Sequence, residues 1–152
     1  MKEKTLRYPG HVEYIQVLKQ SGFFNTKPVK INGIEISPLD FTSKILFDEW
    51  KLGEMEEELT IMRITIIGED ANGTQKKIVY NLHDKYCSET KTSSMARTTG
   101  YTATAVANMF LDRLFFEKGV FPPELIGDKK GVFEYILKYL RERKIIYLKE
   151  EF

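Results

Sequence analysis

Leu59-Thr60-Ile61-Met62-Arg63-Ile64-Thr65-Ile66-Ile67 is dense in β-branched side chains, and its reading decides the fold class. The even positions are more uniformly apolar than the odd ones, the period-2 pattern of a strand that turns one face to a core. Gly68-Glu69-Asp70-Ala71-Asn72-Gly73 reads as a turn, and Lys76 to Tyr86 returns as a second strand with Ile78, Tyr80 and Leu82 on one face. The pair predicts a long antiparallel hairpin over about 59–67 and 76–86. Two strands alone are marginal in water, so a larger sheet, in this chain or in a partner, is implied.

Helical patterns lie on both sides of the hairpin. Before it, Val12, Ile15 and Leu18 recur at helical spacing from Val12 to Gln20, entered through Pro9-Gly10 and followed by Gly22. Val29-Lys30-Ile31 and Ile34-Glu35-Ile36 flank Asn32-Gly33, the strongest tight-turn dipeptide, and predict a small hairpin. Ser37-Pro38-Leu39-Asp40 supplies an N-cap, a first-turn proline and a first-turn acid for a second helix running to about Leu52, with Phe47 and Trp50 at core spacing. The acidic cluster Glu54 to Glu58 separates this region from the long hairpin.

After the hairpin, a Ser/Thr-rich stretch from Thr90 to Thr104 leads into a helix expected over Thr98 to Lys118. Its apolar face is expected at Val106, Ala107, Phe110, Leu111 and Leu114, and its end at Gly119 and Pro122-Pro123. Phe133, Ile136, Leu137 and Leu140 mark a last amphipathic helix, and Ile145-Ile146-Tyr147-Leu148 a closing strand. Helices grouped around one antiparallel hairpin predict a single α+β domain over 1–152 rather than a doubly wound sheet.

Composition narrows the function. At 42% hydrophobic and 30% charged over 152 residues, the chain can bury a core, while 23 basic and 22 acidic side chains are intermixed and leave no broad footprint for nucleic acid. Apolar runs such as Ile64 to Ile67 fall far short of a membrane span, and the Lys/Glu-rich start carries no apolar signal core. The single cysteine, Cys87, has no disulfide or metal-site partner, and a small semi-buried residue is the plainer reading of it than a nucleophile. A soluble protein of the reducing cytoplasm is expected.

The absent motifs are informative too. There is no G-x-G-x-x-G after a strand and no G-x-x-x-x-G-K-[ST], so the glycine cradles of dinucleotide and triphosphate sites are missing. No H-E-x-x-H, C-x-x-C or G-x-S-x-G occurs, and with only two histidines no metal site is expected.

Three groups of residues remain as candidates. Arg7, Tyr8 and His11 around Gly10 form either a carboxylate-binding turn, because a guanidinium fork matches a carboxylate bidentately, or a loop that caps the first helix with Arg7 paired to a surface acid. Arg97, Thr98, Thr99 and Gly100 form either an anion site at the N-terminus of the helix expected from Thr98, or an ordinary cap made by Thr98 or Thr99. His83 and Asp84 read as a polar pair in a site or as the solvent face of an alternating strand.

Four motifs in order carry a family resemblance: Lys4-Thr5-Leu6-Arg7-Tyr8-Pro9-Gly10-His11; Gly22-Phe23-Phe24; Met95-Ala96-Arg97-Thr98-Thr99-Gly100-Tyr101; and Gly119-Val120 with Pro122-Pro123-Glu124. In this order and spacing the chain resembles the C-terminal domain of saccharopine dehydrogenases, a family with carboxynorspermidine dehydrogenase and lysine dehydrogenase relatives. Arg7, Tyr8 and Gly10 carry the resemblance most securely. It implies an enzyme whose N-terminal Rossmann domain binds NAD or NADP, while the α+β domain binds a small amino-acid-type substrate and makes a homodimer. The implied reaction is hydride transfer between the nicotinamide and the CH–NH bond of saccharopine or a related adduct. Arg7, Tyr8, Gly10, Arg97, Thr98, Thr99 and Gly100 are the substrate-binding residues so implied. The Rossmann half is expected to be absent from this chain, which then binds no cofactor and is inactive alone. The alternative is a stand-alone binding or assembly module with the same fold and no catalysis.

Overall fold

A computed structural model describes residues 2–53 and 56–152. The chain is α+β, with helices and two small antiparallel sheets, and it divides into two compact units, Met1–Glu54 and Met55–Phe152. Glu54 and Met55, which open the acidic cluster, lie outside the described residues.

The first unit holds α1 (His11–Gln20), β1 (Val29–Ile31), β2 (Ile34–Ile36) and α2 (Pro38–Trp50). Asn32 and Gly33 both adopt positive φ, 50° and 87°, so β1 and β2 are joined by the mirror-image turn whose twist matches that of paired strands. Ser37 caps α2 as expected, its hydroxyl accepting from the Asp40 N–H at 3.3 Å with Pro38 in the first turn. Thr42 is buried and donates to the Phe23 carbonyl at 3.0 Å. Phe47 and Trp50, expected in the helix core, are instead exposed. Spacing alone does not say which stripe of a helix finds a partner.

The second unit is built on the long hairpin. β3 (Leu59–Glu69) and β4 (Gln75–Lys85) pair without a bulge from Leu59↔Lys85 to Glu69↔Gln75, so the strands extend beyond the ends expected from sequence and only Asp70–Thr74 forms the turn. Asp70 Oδ1 accepts the N–H groups of Asn72 and Thr74 at 2.9 and 3.0 Å, which tightens that turn. β5 (Tyr147–Glu151) adds to the far side of β4, giving the order β3-β4-β5. The hairpin's implied need for a larger sheet is thus partly met within the chain, and β3 remains an edge.

Helices α3 (Ser94–Leu111), α4 (Pro123–Gly127) and α5 (Val132–Glu142) complete this unit. α3 starts four residues before the expected Thr98 and ends at Leu111 rather than near Lys118. Ser93 is the cap, accepting the Ala96 N–H at 3.1 Å. At the other end Arg113 takes a left-handed φ of 58°, and Leu114 and Arg113 donate back to the Met109 and Phe110 carbonyls at 3.1 Å each. Such a paired closure usually carries a glycine, so an arginine there gives no sequence signal. α5 closes the same way with Lys144 at φ 63°, Ile145 donating to Leu140 and Lys144 to Arg141.

The core lies between the helices and the even-numbered face of the sheet. Leu82, Leu140 and Ile145 form one cluster, with Tyr101, Ile136 and Tyr147 against it. Met109, Phe115 and Val132 form a second between α3 and α5. On α3 the buried stripe is Ser94, Arg97, Ala105 and Met109. Ala107, Phe110 and Leu111, expected on the core face, are exposed, because the stripe through Arg97, Ala105 and Met109 is the one that packs inward; Leu114, also expected there, lies beyond the end of α3 and is exposed.

Candidate functional site

Gly10 is the N-cap of α1 at φ 89°, a backbone conformation that costs any residue with a Cβ about 1 kcal/mol or more, so the entry of the helix requires glycine. Tyr14 N–H donates to the Gly10 carbonyl and His11 N–H to the Tyr8 carbonyl, folding Tyr8 to His11 into a turn. Arg7 and Tyr8 precede it on exposed backbone, and Tyr8 keeps 81% of its surface. Arg7 donates from Nη1 to the adjacent Leu6 carbonyl at 3.1 Å and pairs with no acid among the described residues. The surface ion pair considered for Arg7 is therefore not made, and most of its fork is free. The His11 ring lies 6.2 Å from that of Trp50 and is tilted by 45°.

The second group is used differently. Arg97 is buried and grips Asp84 bidentately, Nε to Oδ2 at 3.1 Å and Nη2 to Oδ1 at 3.2 Å, while Nη2 also reaches the Arg143 carbonyl at 3.2 Å. The hydrogen bond to Asp84 raises the Arg97 pKa above its ordinary value, with burial opposing and the Asp84 charge adding to the rise. Asp84 is buried as well, which corrects the solvent-face reading; His83, one residue before, is exposed. Asp84 shares the helix-facing side of β4 with Leu82, and a salt bridge makes that position tolerable for a carboxylate.

Thr98, Thr99 and Gly100 lie within α3 rather than at its start. Thr98 donates to the Ser94 carbonyl at 2.9 Å, while Thr99 and Gly100 are exposed. The true helix start is already served by the chain, since Met95 N–H donates to Glu58 Oε1 at 3.3 Å beside the Ser93 cap. A carboxylate of the chain itself, that of Glu58, thus stands at this dipole end. A Cβ at Gly100 would meet no atom within 4 Å, as at Gly33, Gly68, Gly73 and Gly127.

Around Arg97 the structure gathers residues that sequence reasoning did not single out. Arg143 lies 3.3 Å above the Tyr139 ring centroid and 5.9 Å from that of Tyr101, and its Nη1 donates to the Tyr139 carbonyl at 2.9 Å. Asn108 Nδ2 donates to the Tyr139 hydroxyl at 3.2 Å. The Arg143–Tyr139 contact is an i, i+4 pair at the end of α5, whereas those of Arg143 with Tyr101 and of Asn108 with Tyr139 join α5 to α3 and follow from no local pattern. The half-buried Cys87 thiol is pushed down from its ordinary pKa by hydrogen bonds from Thr90, with the Arg97 charge a smaller cause.

On the opposite face of the sheet, Arg63 Nε donates to Asn81 Oδ1 at 2.8 Å and Asn81 Nδ2 to Glu150 Oε1 at 3.0 Å, a chain across all three strands. It borders an open cavity of about 250 Å³ lined also by Thr65, Lys77, Val79 and Phe152.

No group of three His, Cys, Asp or Glu side chains among the described residues is placed to hold a metal ion, and both sheets are antiparallel, without the parallel strand–helix crossover that cradles a pyrophosphate. No helix among the described residues is long and apolar enough to cross a membrane. Against known families, the model described as saccharopine dehydrogenase C-terminal domain matches residues 1–146.

Proposed function

Since this chain belongs to the saccharopine dehydrogenase C-terminal domain family, we propose that it is the substrate-binding and dimerisation part of an NAD(P)-dependent oxidoreductase acting on the CH–NH bond of saccharopine or a related amino-acid adduct. The observation that carries the substrate half of this reading is Arg7. It is the family motif's guanidinium, and it stands exposed with its fork almost unused beside the Gly10 turn. A substrate with several carboxylates needs such donors, and a charge-assisted, bidentate pair is the strongest a side chain can give. Tyr8, with its free phenol, is its natural second contact.

The roles of the second group divide. Arg97 holds Asp84 and the Arg143 carbonyl, so it supports the frame of the second unit, while Thr99 and Gly100 stand exposed on α3. The hydride chemistry belongs to a cofactor domain outside these 152 residues, and the chain by itself is inactive. The protein acts in the cytoplasm, where Cys87 remains reduced.

The test is an assay of saccharopine-dependent NAD⁺ or NADP⁺ reduction by the chain alone and by the chain joined behind an NAD(P)-binding Rossmann domain of the same family. Turnover is expected only for the joined protein. If the joined protein folds and reduces neither cofactor with saccharopine, carboxynorspermidine or lysine, the enzyme reading fails and the stand-alone binding module takes its place.

A further inference from the structure

β3 is an edge strand of unusual length that lacks the devices by which edges are normally blunted. Its eleven residues from Leu59 to Glu69 include no proline and no lysine, and its register with β4 is unbroken. Its one cation, Arg63, reaches inward to Asn81 instead of standing guard beyond the edge.

The hydrogen-bond parity of the hairpin says which backbone groups are open. Tyr86 N–H donates to Glu58 O at one end and Asp70 N–H to Thr74 O at the other. The even-numbered residues of β3 therefore bond to β4, and Leu59, Ile61, Arg63, Thr65 and Ile67 turn their N–H and C=O groups outward. Apolar side chains line the same edge on both faces, with Ile61 56%, Ile64 41% and Ile67 68% exposed.

We propose that this edge pairs with the β3 edge of a second copy of the chain, antiparallel about a two-fold axis through Ile64, so that two three-stranded sheets become one. The proposal takes up the homodimer of the reading above and gives it a surface and a register. With Ile64 opposite Ile64 of the other copy, Met62 faces Ile66, Ile61 faces Ile67, Arg63 faces Thr65 and Leu59 faces Glu69. Every residue of β3 is then paired, the outward odd-numbered groups bond to one another, and no like charges stand directly opposite. A shift of two residues one way puts Arg63 against Arg63; a shift the other way sets Arg63 against Ile67 and leaves Leu59 unpaired. The sequence of the strand is thus self-complementary in one register, as a two-fold interface demands. An edge about 37 Å long covers on the order of 500 Å² per copy, or about 1,000 Å² in total, the threshold for a biological interface and the size of a weak, concentration-dependent one. On the helix-facing side, Met62, Ile64 and Ile66 of both copies would continue the core across the axis.

Three measurements test this on the full chain. Light scattering with size exclusion should give twice the chain mass. Thr65→Pro removes an outward N–H that takes no part in the β3–β4 ladder, and should return the protein to chain mass with its circular dichroism unchanged. In a Cys87→Ser background, Ile64→Cys should form an intermolecular disulfide on mild oxidation, because residues directly opposite bring their Cβ atoms to about 5 Å; Ile66→Cys, some 13 Å from its copy, should not. A dimer that survives Thr65→Pro and gives no Ile64→Cys link places the second copy elsewhere, which overturns the edge pairing and leaves the homodimer standing. Chain mass at every concentration removes both. Should Thr65→Pro fail to fold, the two cysteine variants decide alone.

Discussion

Asp84 and Arg97 face each other as a buried bidentate pair, with side-chain exposures of 6% and 7% and contacts of 3.1 and 3.2 Å. The pair joins β4 to α3 at the point where the Arg143 carbonyl is also held, so it fastens three segments of the second unit together. Removing one member leaves the other as an uncompensated buried charge. Asp84→Ala and Arg97→Ala should each lower the unfolding free energy by about 3–5 kcal/mol. Asp84→Leu with Arg97→Met should recover most of that loss. Urea unfolding followed by circular dichroism reads both effects, and an Arg97→Ala protein of native stability would move Arg97 from the frame to the binding surface.

Gly100 presents the opposite case, a glycine that the described structure does not require. A Cβ there meets nothing within 4 Å, and glycine inside a helix costs about 0.5–1 kcal/mol relative to alanine. Gly100→Ala should therefore stabilise the chain by that amount in thermal or urea unfolding. If the open surface is kept for substrate, the same change should raise KM in the joined enzyme while kcat stays closer to wild type. Stability and affinity moving in opposite directions is a signature that a structural glycine would not give.

The long hairpin, the Asn32-Gly33 turn and the Ser37 cap were legible in the sequence because each rests on local chemistry: period-2 alternation, a positive-φ dipeptide, a hydroxyl one position before a first-turn proline. The ends of α3 were not. Eight hydroxyl residues between Thr90 and Thr104 offer several equivalent caps, and Ser93 wins because burial of Ser94 and Arg97 against β4 fixes where the helix must begin. Of the candidate site, the exposed Arg7-Tyr8-Gly10 turn was readable as a contiguous motif. Asp84 was hidden by its strand: one alternating position looks like another until the helix carrying Arg97 is seen to cover it. The approach of Arg143 to Tyr101 was out of reach for the same reason, since it joins the end of α5 to α3.

Arg7 should be nearly silent in stability and loud in binding. Its fork makes a single hydrogen bond, to a neighbouring carbonyl, so Arg7→Ala should shift the unfolding free energy by less than about 0.5 kcal/mol. A lost charge-assisted hydrogen bond to a substrate carboxylate is worth about 1.5–3 kcal/mol, which is roughly a 10–100-fold rise in KM for the joined enzyme. Arg7→Lys keeps the charge but loses the fork and should recover only part of the affinity. Unchanged KM in Arg7→Ala would remove the turn from the substrate site.

Tyr135 supplies a pH test confined to one contact. Its hydroxyl donates to Asp112 Oδ2 at 2.6 Å, and that hydrogen bond, with desolvation and the Asp112 charge adding to it, pushes its pKa up from 10.0 to about 12. The proton is held more tightly in the folded chain than in the unfolded one. The stabilising effect is therefore complete below pH 10, where both states are protonated, and is lost as pH rises from about 10 to about 12, when the unfolded chain releases the proton first. Absorbance of tyrosinate near 295 nm should show one late-titrating phenol close to pH 12, absent in Tyr135→Phe. Asp112→Asn should bring that phenol back toward the ordinary range, because an amide oxygen accepts the same hydrogen bond without a charge opposing tyrosinate. If Tyr135→Phe leaves the late phase in place, the group responsible is a different tyrosine, and Tyr147, raised by burial alone, is the one to replace next.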